Sequence, residues 1–242
     1  MSKICLLFVF LGMIVISLSA DGPSPYVKLF ENAYRRATTL RASFLERYIE
    51  NGREVRVEAG TAYFRRPGKM RWEYESPEKN LFLVDGKTAW FYVPADHTVT
   101  RVPAKESTDW RTPLALLAGE TKVSRVCART EAALKEKPES PDNVVLYCEL
   151  RSSRPKDQKQ GTPDVSLQAA ESGQAVFFEI ARNSGELVRV LIRDSGGVAI
   201  EFHFTNWKTD PPLSDSIFRF TPPPGVAIVN AELPPGNGTL NP

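Results

Sequence analysis

From Arg41 onward, apolar and polar residues alternate with a period near two, and Gly, Pro and Asn break the alternation at short intervals. That is the pattern of half-buried antiparallel strands separated by turns. Phe44 and Tyr48 lie in a first strand, and Asn51-Gly52 is a strong hairpin signal after it. Val55–Arg66 follows, with Gly60, Ala62, Phe64 and Arg66 on one side. Next come Met70–Glu75, Leu81–Asp85, Ala89–Val93 and Thr98–Val102. Val123–Arg129, Val144–Arg151, Ala175–Arg182, Leu187–Asp194 and Val198–Trp207 read as later strands, and a last one falls near Ile217–Thr221. Ahead of them, Pro25–Leu40 has helical spacing, with Ser24-Pro25 as its start signal and Val27, Phe30, Tyr34, Ala37 and Leu40 on one face. Thr112-Pro113 to Gly119 reads as a short central helix.

About eleven short strands with one helix in front and one in the middle predict a mainly β fold. The expected architecture is an unclosed antiparallel β-barrel, with both helices as lid or plug over an apolar face. Met70, Trp72 and Tyr74 share one strand face, and Trp90 and Phe91 follow the Asp85-Gly86 turn. Large apolar side chains on a concave face fill a core or line a cavity. We expect Trp72 and Trp90 to lie beside that face.

Met1–Ala20 carries Lys3, an apolar run from Ile4 to Leu18, then small residues. This is the pattern of a secretory signal peptide. Residues 21–230 then form one domain, 152–174 a polar mobile loop inserted between strands, and 231–242 a disordered Pro/Gly/Asn-rich tail. In an exported chain, Cys127 and Cys148, each within a strand-like segment, point to a disulfide. The net charge of +2, from 31 basic and 29 acidic residues, argues against nucleic acid as a partner.

Candidate chemistry is sparse. His97 and His203 are the two histidines, no Gly-x-Ser-x-Gly is present, and no His/Cys cluster has metal-ligand spacing. Glu73 and Glu75, with Arg71, read as a solvated strand face rather than a catalytic pair. Neither enzyme activity, a cofactor nor a metal is expected. Arg66 is either an exposed charge at a strand end or a donor at the rim of an apolar cavity.

At these residues the chain resembles the periplasmic outer-membrane lipoprotein carrier family, LolA. The matching pieces are Arg66-Pro67 with Trp72 and Pro77; Asp85-Gly86-Lys87-Thr88-x-Trp90-Phe91-Tyr92-x-Pro94; Thr112-Pro113; and Phe218-x-Phe220-Thr221-Pro222-Pro223-x-Gly225-Val226. The resemblance implies a monomeric periplasmic carrier that holds the acyl chains of lipoproteins in a hydrophobic cavity. It implies loading from an inner-membrane ABC transporter and release to an outer-membrane acceptor. Phe64, Arg66, Met70, Trp72 and Phe91 would contact lipid, and Arg66 would also latch the lid. The alternative is an envelope lipid-binding or structural β-barrel with a filled core and no transfer role. Cys127/Cys148 and the 152–174 insertion depart from the family pattern.

Overall fold

The computed structural model describes residues 25–107, 112–119, 122–150 and 175–230. The leader at 1–20, the 152–174 insertion and the 231–242 tail lie outside the described residues. The chain opens with helix α1 (Pro25–Tyr34) and continues into β1 (Thr39–Glu50), β2 (Arg53–Arg65), β3 (Lys69–Ser76), β4 (Leu81–Asp85), β5 (Thr88–Val93) and β6 (Thr98–Pro103). A 3₁₀ helix at Thr112–Ala118 and a single-turn α2 (Val123–Val126) separate these from β7 (Cys127–Ala132), β8 (Asn143–Leu150), β9 (Ala175–Ala181), β10 (Leu187–Arg193) and β11 (Val198–Thr209). A 3₁₀ turn at Asp215–Phe218 and β12 (Ala227–Asn230) follow.

All twelve strands form one open sheet in the order β12-β6-β5-β4-β3-β2-β1-β11-β10-β9-β8-β7. Pairings are antiparallel except β12 on β6, which is parallel. The sheet does not close: β12 and β7 remain as its edges. The β1–β2 hairpin turns where Asn51 and Gly52 take φ of 49° and 77°, the conformation that an Asn-Gly turn supplies cheaply. At the Asp85-Gly86 turn, Asp85 Oδ1 accepts from the Lys87 and Thr88 backbone N–H groups, both at 2.8 Å.

Period-two burial sorts the side chains onto two faces. The concave face carries Leu40, Ala42, Phe44 and Tyr48 from β1; Ala62 and Phe64 from β2; and Met70, Trp72 and Tyr74 from β3. Phe82 and Val84, then Ile200, Phe202 and Phe204, extend it on either side. Helix α1 and the 112–118 helix lie over it, contributing Val27, Phe30, Tyr34, Leu114, Leu116 and Leu117 to the same cluster.

The convex face is covered in two places. At the β3–β6 end, the 211–220 segment packs Phe220 against Trp90 and Tyr92, each with ring centroids 5.6 Å apart. Arg65 lies over the Phe218 ring and pairs with Asp215, and Arg71 Nη1 donates to the Ile217 carbonyl at 2.9 Å. At the β8–β11 end, the 133–142 loop is held by charge. Glu179 is buried and accepts from Arg189 Nε (2.8 Å), Asn143 Nδ2 (2.7 Å) and the Glu139 N–H (2.7 Å). Arg189 Nη1 also donates to Glu201 at 2.8 Å, and His203 sits between Glu139 (2.7 Å) and Glu201 (3.0 Å).

Three readings of the chain change. Helix α1 ends at Tyr34 rather than Leu40, because Thr38 and Thr39 are bound to the carboxylate of Asp210 and the backbone is extended from Thr39. The segment near Ile217–Thr221 is not a strand: residues 215–218 make a 3₁₀ turn, with Ser214 accepting from the Ser216 N–H. The last strand is instead Ala227–Asn230. The strand expected over Val123–Arg129 begins only at Cys127, because Val123–Val126 make a helical turn in which the Cys127 N–H donates to the Val123 carbonyl.

Burial raises the Glu201 carboxyl, but its contacts to His203 and Arg189 outweigh this and hold its pKa down at about 2. A carboxyl depressed in the folded state stabilises it above the unfolded pKa and loses that contribution as pH falls through the folded value. Wild-type protein is expected to lose on the order of 2 kcal/mol from this group between about pH 5 and pH 2. Glu201→Gln should unfold with a visibly shallower acid dependence in urea titrations at each pH. Parallel acid profiles for the two proteins would show that Glu201 does not carry the effect.

Candidate functional site

Of the residues that the sequence proposes for lipid contact, Phe64, Met70 and Trp72 sit together on the concave face. Phe91 packs on the same cluster, partly buried. Trp72 is fully buried, in register with Ala62 on β2 and Phe82 on β4. Four rings surround its indole: Phe44 at 4.9 Å, Phe202 at 5.4 Å, Phe64 at 5.8 Å and Phe204 at 6.0 Å between centroids. Trp90 does not share this face. It lies on the convex side, its Nε1 donating to Asp85 Oδ2 at 3.2 Å and its ring against Phe220.

The concave face is closed by elements that grip each other through a few polar contacts. Helix α1 docks on the β9–β10 turn and the end of β11. The Tyr34 hydroxyl accepts from the Leu187 N–H at 2.9 Å, and Trp207 Nε1 donates to the Leu187 carbonyl at 2.8 Å. Burial raises the Tyr34 pKa, so the hydroxyl stays protonated. Arg182 Nη1 donates to the Tyr26 hydroxyl at 2.8 Å. Gly185 lies so close that a Cβ there would meet the Leu29 carbonyl oxygen at 2.6 Å. Glu31 Oε1 accepts from the Val123 N–H at 3.1 Å, joining α1 to α2.

Arg66 stands where the two covering elements meet the rim. Its side chain leaves the β2–β3 turn just beyond Phe64, and Nη1 donates to the Arg35 carbonyl at the end of α1, 2.8 Å away. On the other side it packs against Gly119, which ends the 112–118 helix at φ +77°; a Cβ on Gly119 would lie 2.3–2.7 Å from Arg66 Nε, Cδ and Cγ. The backbone of the same turn reinforces the junction: Arg66 N–H donates to the Thr38 carbonyl at 3.0 Å and Gly68 N–H to the Ala118 carbonyl at 3.3 Å. Burial pulls the Arg66 pKa down and Asp210 opposes it; an arginine remains charged through shifts of this kind. Arg66 thus donates to a backbone carbonyl beside the covering helix. Its partners are a backbone carbonyl and a glycine, so no side-chain pattern could have named them.

Cys127 and Cys148 are joined by a disulfide, with Cα atoms 5.3 Å apart, and both are buried in the concave cluster behind α2. Arg71, Glu73 and Glu75 lie on the convex side in mutual contacts: Arg71 Nε donates to Glu73 at 2.6 Å and Thr61 to Glu75 at 3.1 Å. Among the described residues no group of three His, Cys, Asp or Glu side chains is placed to hold a metal.

Two donors at this face are buried without a hydrogen-bond acceptor, Trp72 Nε1 among the rings and Arg66 Nε at the rim, an arrangement that costs about 1–3 kcal/mol for each.

Comparison with known proteins bears out the resemblance read from the motifs. The model of the family described as outer membrane lipoprotein carrier protein LolA matches residues 35–147. A second family model, described as a predicted periplasmic protein, matches residues 187–231. An outer-membrane lipoprotein carrier protein of Nitrosomonas europaea is 28% identical over 93% of this chain and 98% of its own length. One from Neisseria meningitidis is 25% identical over 93% and 97%. Among solved structures, an uncharacterised conserved protein of Thermus thermophilus superposes with a TM-score of 0.48 at 14% identity, over 85% of this chain and 97% of that one. A LolA superfamily protein of Nitrosomonas europaea gives 0.43 at 11% identity, over 81% and 96%. The chain is LolA-like, and the family it resembles is named for carriage rather than catalysis.

The Arg66–Gly119 contact can be tested without a ligand. Gly119→Val adds a side chain where Arg66 already lies and forces a β-branched residue to positive φ, a cost of roughly 1–3 kcal/mol. The variant is expected to melt several degrees lower and to bind more of a hydrophobic dye under native conditions. Unchanged melting and dye binding would show that this junction does not hold the cover in place.

Proposed function

We propose that this LolA-like chain is a periplasmic carrier of acylated lipoproteins. It takes up their acyl chains on the concave face between β1–β4 and β11, under α1 and the 112–118 helix. It receives them from an inner-membrane ABC transporter and releases them to an outer-membrane acceptor. The observation that carries this reading is the junction at Arg66. A guanidinium at the edge of an aromatic face is bonded to the carbonyl that follows the helix covering that face.

The energetics of a carrier fit the closed arrangement. Each methylene buried contributes about 0.8 kcal/mol, so enclosing about ten of them gives roughly 8 kcal/mol, near micromolar binding. Against that gain stand the contacts that the face makes with itself. Phe44, Phe64, Trp72 and Phe202 must separate to admit a chain, and Arg66 must leave the Arg35 carbonyl. Charge-assisted bonds of this type are worth about 1.5–3 kcal/mol. Reclosure therefore returns energy that helps expel the cargo.

One observation favours a second reading. The concave face is filled by its own side chains, with Trp72 and Ala62 at 0% exposure and Phe64 at 1%. A structural or envelope-binding domain with a permanent core would look the same in this state. Binding of a diacylated lipopeptide, with no binding of its deacylated form, separates the two.

The transfer test uses two neighbouring arginines. Arg66→Leu is expected to load lipoprotein from inner-membrane vesicles as well as the wild type does. It should then pass cargo to the acceptor about tenfold more slowly, the factor that ~1.4 kcal/mol of lost latch energy gives. Arg65→Leu removes the clamp on Asp215 and Phe218 on the convex side. It should lower the melting temperature yet leave transfer within about twofold of wild type. Normal release by the Arg66 variant, or equal failure of both, would exclude the latch.

A further inference from the structure

The indole of Trp72 differs from the other described tryptophans in one respect. Trp90 Nε1 donates to Asp85 at 3.2 Å and Trp207 Nε1 to the Leu187 carbonyl at 2.8 Å. Trp72 Nε1 is buried and has no acceptor, although Trp72 is the most enclosed of the three. The shell around it is aromatic: Phe44, Phe64, Phe202 and Phe204. A phenylalanine here would give the same kind of edge-to-face packing and leave no donor unsatisfied. A buried water needs two to four polar partners, and these rings offer none. An anionic acceptor would be costly to bury among these rings. The acceptor that suits the site is a neutral carbonyl oxygen arriving on its own hydrocarbon.

We propose that Trp72 Nε1–H is held in reserve for the cargo and donates a hydrogen bond to an ester carbonyl of an O-acyl chain on the concave face. This rests on the carrier reading above and deepens it. Trp72 becomes a specificity residue that distinguishes ester-linked acyl chains from ether-linked alkyl chains of the same length. The N–H is unsatisfied when the face is closed on itself and satisfied when cargo is present, so the same group favours loading and leaves the aliphatic part of the chain to the surrounding rings.

The test compares two probes on the full mature chain: a lipopeptide whose cysteine carries a dipalmitoyl glyceryl group, and its dihexadecyl ether analogue. Calorimetric titration is expected to show the wild type binding the diester about 5–10-fold more tightly than the diether, with Trp72→Phe binding the two within about twofold. The wild type alone supplies a second readout that does not depend on how the variant folds. In ¹⁵N-labelled protein, one indole N–H resonance should move downfield on loading with the diester and stay in place with the diether. Equal affinity of wild type for both probes, or no ester-specific indole shift, would overturn the hydrogen bond while leaving the carrier reading intact. An ester preference that survives in Trp72→Phe would assign it to another group. Failure of wild type to bind either probe would overturn both.

Discussion

An unclosed sheet cannot hide its own concave face. The twelve strands stop short of meeting, and the rings of Phe44, Phe64, Trp72, Phe202 and Phe204 would stand in water if nothing lay across them. The hydrophobic effect therefore requires a cover, and the chain supplies one from two short helical pieces that are not part of the sheet. Neither is long enough to be stable alone; each is helical because its apolar side has this face to rest on. In the proposed carrier role, cover and cargo compete for the same surface. The covering elements rest on this face through Val27, Phe30, Tyr34, Leu114, Leu116 and Leu117, and a few hydrogen bonds fasten them at the rim.

The convex side answers a different need. It is stapled at two separated places, by the 211–220 segment at the β3–β6 end and by the Glu179–Arg189–Glu201–His203 network at the β8–β11 end. Twisted sheets of this width tend to flex or curl. The outer staples hold the curvature of the sheet independently of what lies on its inner face. Buried charge suits the outer face because each member of the network has partners in fixed register across β9, β10 and β11.

Much of the sheet was legible in the sequence because its turns carry their own chemistry. Asn51-Gly52 and Asp85-Gly86 announced hairpins, and the Met70/Trp72/Tyr74 alternation marked the buried face. Trp90 was misplaced because its face depends on parity through the Asp85-Gly86-Lys87 turn, which composition alone does not settle. The helical spacing ran past Tyr34 because Ala37 and Leu40 are buried whether the backbone is helical or extended; what ends the helix is a distant carboxylate, Asp210. Arg66 could be singled out as odd, but its meaning lies in the Arg35 carbonyl and the missing side chain of Gly119. Main-chain partners leave no trace in a residue pattern.

Leu187 opens β10 with both of its main-chain polar groups spoken for by aromatic side chains: Tyr34 takes the N–H and Trp207 gives to the carbonyl. The C-terminal end of α1 is thereby riveted to the sheet at one point. A slide of the helix by one turn, about 5.4 Å, would break the Tyr34 bond and leave a buried N–H bare; the Trp207 bond lies within the sheet, between β11 and β10, and is untouched. A swing about Tyr34 keeps both. The amplitude of such a swing grows along the ten residues of α1 toward Tyr26, whose tie to Arg182 is exposed to solvent and easily exchanged for water. With Arg66 on the neighbouring Arg35 carbonyl, the same end of α1 is held at two points, which fixes its register on the sheet, while the tie at its Tyr26 end faces solvent.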